Sequence, residues 1–470
     1  MKKTKIICTA GPACNDYDIL LDMAKNGMDV IRINLSHATH SFAEEIVSKI
    51  RKINKEFDFN IGILFDTKGP EVRVGKFKDG FIKLESGEEV ILTPKEVSGD
   101  DYKINISERN LYLDLDIDST ILIDNGNIEL KVIGINNEDI MARVIHGGIL
   151  KDNKNINVKD VDLSVDFLSI ADKNDILFAS KLNADFISLS FVRSANDILD
   201  VNDMLIADKN EHTQIISKIE NKSALEDLDN IIKVSDGIIV ARGDLGVEIE
   251  LTKLPCVAKD IIKRSKDKNK ICIVSTDMLS SMEEKEKPTR SEVCDIASFI
   301  FDGVDAFTLS GETAIGKYPV LSTKVMSDII KETEAHVDYK QELKCINNKN
   351  VDNTTVLAYT ASNISNTIDI KAIIVFTVSG YTARKLSNYK PNCPVIAVVS
   401  DKEAAKSLSL NFGIKSVVSK KFNNADDIME LGLKVAKENL DLNREDKIII
   451  MGGFPTRKSN STNFIKIEEI

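Results

Sequence analysis

The sequence has little of several residue types and features on which particular classes of protein depend. It contains no tryptophan, 5 histidines and 9 prolines. The opening MKKTKIICTAGP reaches glycine and proline after a few apolar residues, too few for a signal peptide or a membrane span. Lysine and arginine number 62 against 74 aspartate and glutamate, which gives a net charge of -12. An acidic chain without a local basic patch repels nucleic acids and anionic membranes, so we expect neither as a partner.

Cysteine is present, but not in a pattern that cross-links a fold. The 7 cysteines are odd in number, scattered, and include no CxxC pair. This spacing argues against a disulfide framework and against a zinc site. Reduced thiols and a cytoplasmic location are therefore predicted. Cys8 and Cys272 lie inside apolar runs, and we expect both to be core residues.

Apolar runs alternate with amphipathic stretches from residue 1 to about 340, a pattern typical of βα repeats with a parallel sheet. The 470 residues are enough for about three domains. Eight strands with intervening helices predict a closed (β/α)₈ barrel, the TIM barrel, whose active site lies at the carboxyl ends of the strands. The predicted strands are 5–9, 29–34, 61–66, 185–190, 214–220, 236–241, 270–275 and 305–310.

A different sequence pattern interrupts the predicted barrel between its third and fourth strands. Residues 71–158 alternate apolar and polar side chains at period two, and Asn125-Gly126 is a hairpin turn signal. We therefore predict a small all-β insertion. An insertion at the carboxyl end of a barrel strand lies over the active site, where it would act as a lid that excludes water. The alternative is a decoration without a role.

A second α/β pattern follows from residue 341 to 470, with predicted strands at 371–377, 394–400 and 446–452. The barrel domain would then comprise 1–70 and 159–340, with 71–158 inserted. After the first C-terminal strand, hydroxyls and free backbone N–H groups at a helix start suit a phosphate-bearing effector; an ordinary capping turn is the alternative. Arg457 and Lys458 in a late loop could add positive charge. The candidate effector residues are Thr377, Ser379, Gly380 and Thr382.

Two carboxylates and a lysine lie at the ends of two adjacent predicted strands. Lys218 and Glu220 are two residues apart on one strand and so project to the same face, and Asp244 follows the next strand. Converging carboxylates suit a hard divalent cation with open positions for substrate oxygens. The alternative is that Glu220 and Asp244 only cap strands at the surface.

Seven motifs in register resemble the pyruvate kinase family over essentially the whole chain. They include TKIICTAGP (4–12), MDVIRINLSH (28–37), FDTKGPEVRVG (65–75), SFVRSANDI (190–198), KIEN followed by SDGIIVARGDLGVEI, KPTRSEVCDIA (287–297) and DGVDAFTLSGETAIGKYP (302–319). The resemblance implies transfer of the phosphoryl group of phosphoenolpyruvate to ADP, then protonation of the enolate to pyruvate. It also implies a homotetramer and a sugar-phosphate or nucleotide effector.

The resemblance assigns roles to particular residues. Glu220 and Asp244 would hold Mg²⁺ or Mn²⁺, and Lys218 would stabilise the phosphoryl group in flight. Arg32 would grip the substrate phosphate, and Arg73 and Asn34 would serve the phosphate and nucleotide side. Gly243, Asp244 and Thr276 would seat the carboxylate, and Thr276 with Ser310 would lie on the proton path. The implied K⁺ ligands are Asn34, Ser36, Asp66 and Thr67.

Three further positions refine what the resemblance implies. Glu71 matches the residue of potassium-dependent members, so we expect activation by K⁺. Asp277 follows Thr276 where the family usually has glutamine, and its charge beside an anionic substrate could weaken binding. NVKD at 157–160 departs from the family's NLPG. This difference bears on the hinge of the insertion and not on the catalytic residues.

Two rival functions remain on the residues alone. A metal-dependent enolate aldolase also places a glutamate and an aspartate at adjacent strand ends of such a barrel, but it lacks the β insertion and the C-terminal domain. A catalytically dead sensor of a phosphorylated metabolite would have no need to keep Lys218, Glu220 and Asp244. A pyruvate assay discriminates among the three.

Overall fold

The structure is a computed structural model that describes residues 2–100, 102–159, 161, 163–210, 212–339, 351–419, 425–454 and 462–470. Three short strands open the chain: β1 (Lys5–Thr9), β2 (Val30–Asn34) and β3 (Gly62–Asp66). Helices Tyr17–Lys25 and His40–Glu56 connect them, and Asp16 and Thr39 cap these helices by accepting backbone N–H bonds.

The residues after β3 form an all-β insertion. Its antiparallel hairpin β8–β9 turns through Asp124, Asn125 and Gly126, which all have positive φ (55°, 57° and 82°); this confirms the predicted hairpin. Alternate side chains such as Leu130 and Val132 fill its core. The strands are β4 (Val72–Arg73), β5 (Phe81–Leu84), β6 (Glu89–Thr93), β7 (Lys103–Asn105), β8 (Thr120–Ile123), β9 (Ile128–Asn136), β10 (Asp139–His146), β11 (Gly148–Lys151) and β12 (Asn155–Val158), with a 3₁₀ turn at Leu111–Leu113.

Five more strands close the barrel. They are β13 (Phe186–Leu189), β14 (Gln214–Ile219), β15 (Gly237–Ala241), β16 (Ile271–Ser275) and β17 (Ala306–Leu309). The closed order is β1-β17-β16-β15-β14-β13-β3-β2, with parallel pairing throughout. Each of the eight predicted strands is present, with ends that agree within one residue, so the predicted TIM barrel is confirmed.

The longer helices cover the outside of the barrel because their buried apolar residues pack against the strands. Ser169 and Thr289 begin two of these helices with reciprocal capping boxes. The helices after the insertion are Ile170–Lys181, Ala195–Ala207, Lys222–Glu226, Leu228–Val234, Arg242–Glu248, Leu254–Asp267, Arg290–Asp302, Gly311–Ala314 and Pro319–Glu334, with a 3₁₀ turn at Ser280–Glu283.

Alternation along each strand separates two barrel cores. Ile7, Val30, Leu64 and Ile216 point inward and pack in the centre of the barrel, whereas Cys8, Ile31 and other outward residues pack against the helices. Cys8 and Cys272 are both fully buried, as predicted. The next inward positions toward the carboxyl ends are polar, so the apolar centre forms the floor of a polar mouth.

The C-terminal region is an open five-stranded sheet in the order β20-β19-β18-β21-β22. The three predicted strands are present as β18 (Ile370–Phe376), β19 (Val395–Val399) and β21 (Lys447–Gly453). Sequence reasoning missed β20 (Ile414–Val418) and the antiparallel edge strand β22 (Thr462–Glu469), whose exposed polar residues obscure an apolar run. Helices Asn353–Thr367, Tyr381–Asn388, Lys402–Lys406 and Ala425–Asn439 cover the sheet.

The C-terminal sheet packs against the amino-terminal end of the barrel. The buried Lys390 Nζ lies 2.7 Å from Asp305 Oδ1, and Lys5 Nζ donates to the carbonyl of Ile414 at 2.7 Å. This leaves the carboxyl ends of the barrel strands free for a site. Among the described residues, no helix combines the length and the apolar character needed to cross a membrane.

Candidate active site

A polar cleft of about 270 Å³ opens at the carboxyl ends of the barrel strands. Residues from strand ends far apart in the chain meet here. Ten of the predicted site residues line the cleft: Arg32, Asn34, Ser36, Asp66, Arg73, Lys218, Glu220, Asp244, Thr276 and Ser310.

Arg32 is held in the cleft by two neighbours. Its Nε donates to Asp66 Oδ2 at 2.9 Å, its Nη2 also bonds this carboxylate, and its Nη1 donates to Thr9 Oγ1 at 2.9 Å. A guanidinium has five N–H groups, so these bonds leave two for a ligand. Asp66 is 1% exposed; burial opposes its ionisation, but Arg32 and Lys218 hold its pKa below the ordinary value.

Lys218 projects into the same cleft from β14. Its Nζ lies 2.9 Å from both Ser190 Oγ and Glu220 Oε1, and 3.6 Å from Asp66 Oδ2. Burial by itself favours the neutral amine, but Asp66 and Glu220 outweigh it and raise the pKa of Lys218. The ammonium group therefore stays charged at neutral pH.

Glu220 has no exposed surface and has unused ligand capacity. Its Oε2 accepts the backbone N–H of Phe191 at 2.6 Å. Its Oε1 is close to Lys218 but is not aligned for a hydrogen bond and has no other partner among the described residues. Burial raises the pKa of Glu220, and although Lys218 lowers it, Asp244 adds to the rise. A cation shared with Asp244 would relieve this repulsion.

The donor set therefore fits a divalent cation held by two carboxylates. Within the described parts of the chain, no cluster of three or more histidine, cysteine and acidic side chains is arranged for a metal. Mg²⁺ commonly uses only one or two carboxylates and takes its other oxygens from water and substrate phosphates. Glu220 and Asp244 match this mode.

Thr276 closes the cleft beside Asp244 in an unusual backbone conformation. Thr276 and Asp277 have φ of 66° and 54°, which non-glycine residues adopt rarely. Arg242 Nη2 donates to both of their carbonyls, at 2.7 and 3.1 Å, and fixes this turn. Thr276 Oγ1 then accepts the N–H of Gly243 at 2.7 Å. The turn thus joins the end of β16 to the helix that carries Asp244.

Asp277 lies outside the cleft, contrary to the expected position beside the substrate. Its side chain is exposed, accepts a hydrogen bond from Ser280 Oγ at 3.1 Å, and is not among the residues that line the cleft. Because the left-handed turn places the side chains of Thr276 and Asp277 on different sides, only Thr276 faces the site. A large direct effect of Asp277 on substrate is therefore not expected.

Ser310 lines the cleft after β17, next to the strand that precedes Thr276, and is held by a buried carboxylate. Glu312 is 2% exposed and accepts the N–H of Ser310 at 2.7 Å and that of Leu279 at 2.9 Å. It therefore connects the loop after β17 with the loop that carries Thr276. Sequence reasoning did not single out Glu312.

The predicted K⁺ ligands are grouped at the ends of β2 and β3. Asn34, Ser36 and Asp66 line the cleft, whereas the buried Thr67 lies behind it and accepts a bond from the Ser190 N–H at 3.2 Å. Asn34 Oδ1 accepts the N–H of Ser36 at 3.0 Å. These are hard oxygen donors of the type that alkali cations bind.

The β insertion contributes residues to the cleft. Arg73 on β4 forms an ion pair with Glu71, with 2.6 Å between Nη2 and Oε2. Asn125 and Asn155 also line the cleft from the insertion. Asn157 Nδ2 donates to Glu248 Oε1 at 2.9 Å and so connects β12 with the helix of Asp244. The insertion thus contacts the site, as its position in the sequence predicted.

Two inward hydroxyls of the cleft floor were missed. Thr308 is 3% exposed, and its Oγ1 has no hydrogen-bond partner among the described residues; Ser275 lies on the neighbouring strand. Thr308 lies two residues before Ser310, so strand alternation would have pointed it to the same side.

The four candidate effector residues lie in the C-terminal sheet region, away from the cleft. Thr377 and Thr382 are buried, and the hydroxyl of Thr382 lies 2.6 Å from that of Thr462. Gly380 has a positive φ of 78° before the helix Tyr381–Asn388. Arg457 and Lys458 lie outside the described residues.

Comparisons with known proteins agree with this architecture. The family model described as pyruvate kinase, barrel domain, matches residues 1–323, and that described as pyruvate kinase, alpha/beta domain, matches 355–468. A pyruvate kinase of Clostridium perfringens is 39% identical over the whole of both chains. Those of Sporosarcina psychrophila and Staphylococcus epidermidis are 38% and 39% identical, over 100% and 99% of this chain and 81% and 80% of theirs. This chain therefore belongs to the pyruvate kinase family of enzymes.

Proposed function

We propose that the chain transfers the phosphoryl group of phosphoenolpyruvate to ADP, giving ATP and, after protonation of the enolate, pyruvate. The bond between phosphorus and the enol oxygen breaks, and a bond to a terminal oxygen of ADP forms. The observation that carries the proposal is the convergence of Arg32, Lys218 and Glu220 in one cleft. Phosphoryl transfer depends chiefly on positioning and on neutralising charge, which this set supplies.

Arg32 and Lys218 would act on the phosphate. Arg32 is already oriented by Asp66 and Thr9 and keeps two N–H groups for phosphate oxygens. Lys218 keeps its charge because Asp66 and Glu220 stabilise it. Neither cation needs to reorganise far when charge develops on the oxygens, which is the basis of electrostatic preorganisation. Arg73 would approach from the insertion.

Glu220 and Asp244 would hold Mg²⁺ or Mn²⁺, which neutralises phosphate oxygens when bound. Gly243, Asp244 and Thr276 would seat the substrate carboxylate at the amino terminus of a helix, where backbone N–H groups favour anions. Thr276 and Ser310 follow the neighbouring strands β16 and β17 and would lie on the path that delivers a proton to the methylene carbon of the enolate.

Asn34, Ser36, Asp66 and Thr67 would bind K⁺, and Asn34 would also adjoin the nucleotide. Glu71 favours potassium dependence because its carboxylate neutralises Arg73 at the entrance, so the cleft has no spare positive charge there. We also propose a cytoplasmic enzyme, in keeping with the thiols of Cys8, Cys14, Cys256, Cys272, Cys294 and Cys393, which are all free. A homotetramer and a regulatory phosphate near Ser379 remain predictions.

The test is pyruvate formation from phosphoenolpyruvate and ADP by the full chain, with Mg²⁺ present and with or without K⁺. We expect ADP-dependent pyruvate that needs Mg²⁺ and increases with K⁺. Absence of ADP-dependent pyruvate would reject the kinase function. Pyruvate released from a hydroxy-ketoacid without ADP would instead support the aldolase alternative.

A further inference from the structure

The floor of the catalytic cleft carries a buried hydroxyl without a hydrogen-bond partner. Thr308 belongs to β17, is 3% exposed and lines the cleft, and its Oγ1 bonds none of the described residues. A threonine hydroxyl can donate one hydrogen bond and accept two. A buried hydroxyl that makes none of these bonds lowers the stability of the fold. The bonding capacity of Thr308 is therefore available to a molecule in the cleft.

The packing around Thr308 does not require a hydroxyl. Its partner on the neighbouring strand β1 is Ile7, and Ile239 and Ala241 line the same floor. All three neighbours belong to the apolar centre of the barrel. Valine has nearly the shape of threonine and would meet these neighbours without the cost of an unpaired polar atom. The oxygen of Thr308 is thus explained by the cleft and not by the core.

The hydroxyl of Thr276, by contrast, is already engaged as donor and as acceptor. It donates to the carbonyl of Ser275 at 2.6 Å and accepts the N–H of Gly243 at 2.7 Å. Because a hydroxyl has only one proton, Thr276 cannot donate to a bound substrate without breaking its bond to the backbone. Its second lone pair is still free to accept a hydrogen bond. Proton delivery at this end of the cleft therefore needs a donor besides Thr276.

Several hydroxyls are grouped at the ends of two neighbouring strands. Val274 on β16 pairs with Phe307 on β17, so Ser275 and Thr308, one residue further along, lie side by side. Ser310 follows two residues after Thr308 and lines the same cleft. A water bound inside a protein needs two to four polar partners, and this group supplies them. The cleft volume of about 270 Å³ leaves room for a water beside a small substrate.

We propose that Thr308 is a positioning residue for the proton step and that, with Ser310, it holds the water that protonates the methylene carbon of the enolate. This inference rests on the proposed phosphoryl transfer, which leaves the enolate in the cleft. An oxygen lone pair of the enolate forms the carbonyl, the electron pair of the carbon–carbon double bond forms the new C–H bond, and one O–H bond of the water breaks. Thr308 donates its hydrogen bond to the hydroxide so formed, which solvent then reprotonates.

Exchange of the methyl protons of pyruvate for deuterium measures this step in reverse. The full chain is incubated in D₂O with pyruvate, Mg²⁺, K⁺ and ATP, and proton NMR follows the loss of the methyl signal. Thr308→Val keeps the shape but removes the hydroxyl, so we expect exchange to slow at least about tenfold. The KM for phosphoenolpyruvate should stay within about twofold, because the hydroxyl serves the proton and not the phosphate. The solvent isotope effect on pyruvate formation should increase.

Two further substitutions at Thr308 separate the hydroxyl from the methyl group. Thr308→Ser keeps the hydroxyl and should exchange within about threefold of the unaltered chain, whereas Thr308→Ala loses both groups and should resemble Thr308→Val. Thr323→Val is the control for a fully buried threonine outside the cleft. Its hydroxyl donates to the carbonyl of Pro319 at 2.9 Å, and its loss should leave the exchange rate unchanged. Thr308→Val should melt at or above the temperature of the unaltered chain, since it removes an unpaired buried polar atom.

The inference is overturned if Thr308→Val exchanges the methyl protons as fast as the unaltered chain, if Thr308→Ser is no faster than Thr308→Ala, or if Thr323→Val slows exchange as much as Thr308→Val. If Thr308→Val does not fold, the comparison of serine with alanine decides. A chain that makes ADP-dependent pyruvate but fails these comparisons keeps the proposed function and loses only the role of Thr308. A chain that neither makes pyruvate nor exchanges the methyl protons overturns both.

Discussion

The chain contains two parallel sheets with helices around them, and their carboxyl ends differ. In the closed barrel, eight ends surround one axis, so Arg32, Asp66, Lys218 and Glu220 interlock with nitrogen–oxygen distances of 2.9 to 3.6 Å. In the open C-terminal sheet the ends lie side by side in a row. Thr382 contacts β22 on one side, while Arg384 faces the barrel on the other.

Closure therefore decides whether charges are paired before a ligand arrives. The barrel cleft holds its cations in place with its own carboxylates, which suits the stabilisation of developing charge. In the open sheet, Arg384 forms no ion pair with a described residue. The following predictions test this contrast, from the largest expected effect to the smallest.

Lys218→Met should abolish most of the activity. It removes the cation nearest the transferred phosphate and leaves Glu220 and Asp66 with less compensation. We expect kcat for pyruvate formation to fall about 1,000-fold, the loss typical of one preorganised electrostatic group. Circular dichroism should show an unchanged fold. Lys437→Met, on an exposed face of a C-terminal helix, is the control and should stay within about twofold; equal losses in both variants would contradict the assignment.

Removal of K⁺ should lower kcat by about tenfold or more, equivalent to about 1.4 kcal/mol or more in the barrier. Glu71→Lys should reduce this dependence, because a fixed ammonium group near Arg73 replaces a carboxylate with the charge that K⁺ would supply. The measurement is the ratio of rates with and without K⁺. Glu96→Lys, exposed on the insertion, should keep the ratio of the unaltered chain. A ratio near one for the unaltered chain would refute potassium activation.

Stabilisation by Mg²⁺ should increase with pH. Burial raises the pKa of Glu220 above its ordinary value of about 4.5, so the folded, metal-free chain binds this proton more tightly than the unfolded chain. Its contribution to stability is thus present below that ordinary value and is lost as pH rises toward the folded pKa. Binding of Mg²⁺ needs the carboxylate and so strengthens over the same range.

Melting temperatures at pH 5.5 to 8, with and without Mg²⁺, measure this effect. The increase in Tm on adding Mg²⁺ should be larger at pH 8 than at pH 5.5. In Glu220→Gln it should be smaller at every pH and should vary less with pH. A pH-independent increase in the unaltered chain would show that Glu220 does not titrate with metal binding.

Asp277→Gln should have the smallest effect. The carboxylate is exposed outside the cleft, so solvent and salt screen its interaction with a bound anion. We expect the KM for phosphoenolpyruvate to fall by less than about twofold, with kcat unchanged. A change of fivefold or more would mean that the turn at Thr276 rearranges and brings Asp277 to the substrate.

The sequence predicted most of the barrel because its signals are local. Runs such as KIICT and GIIVA are apolar on both faces, as strands buried between helices and a core must be. The same logic failed for β20 and β22. IKSVV and TNFIKIEE carry exposed polar residues, and only their neighbours in the sheet make them strands.

The sequence predicted most of the residues that form the candidate site, but not how they are arranged in space. Alternation placed Lys218 and Glu220 on one face, and the same rule would have found Thr308. No local rule indicated the positive φ of Asp277, which turns its charge away from the cleft, nor the role of Glu312 between two loops. These features arise where segments distant in the chain constrain one another.

The sequence by itself determined an acidic α/β protein with a barrel. The excess of acidic over basic residues gave the charge, and the eight short apolar runs gave the barrel strands. Strand burial and period-two alternation need only near neighbours. Tertiary structure alone decided which charges pair: Arg32 forms an ion pair with Asp66, whereas Arg384 forms none with a described residue. Thr9 receives a bond from a residue 304 positions away, Thr313. Closure of one sheet brings charged side chains of distant segments together around one axis, whereas the strand ends of the open sheet lie apart in a row.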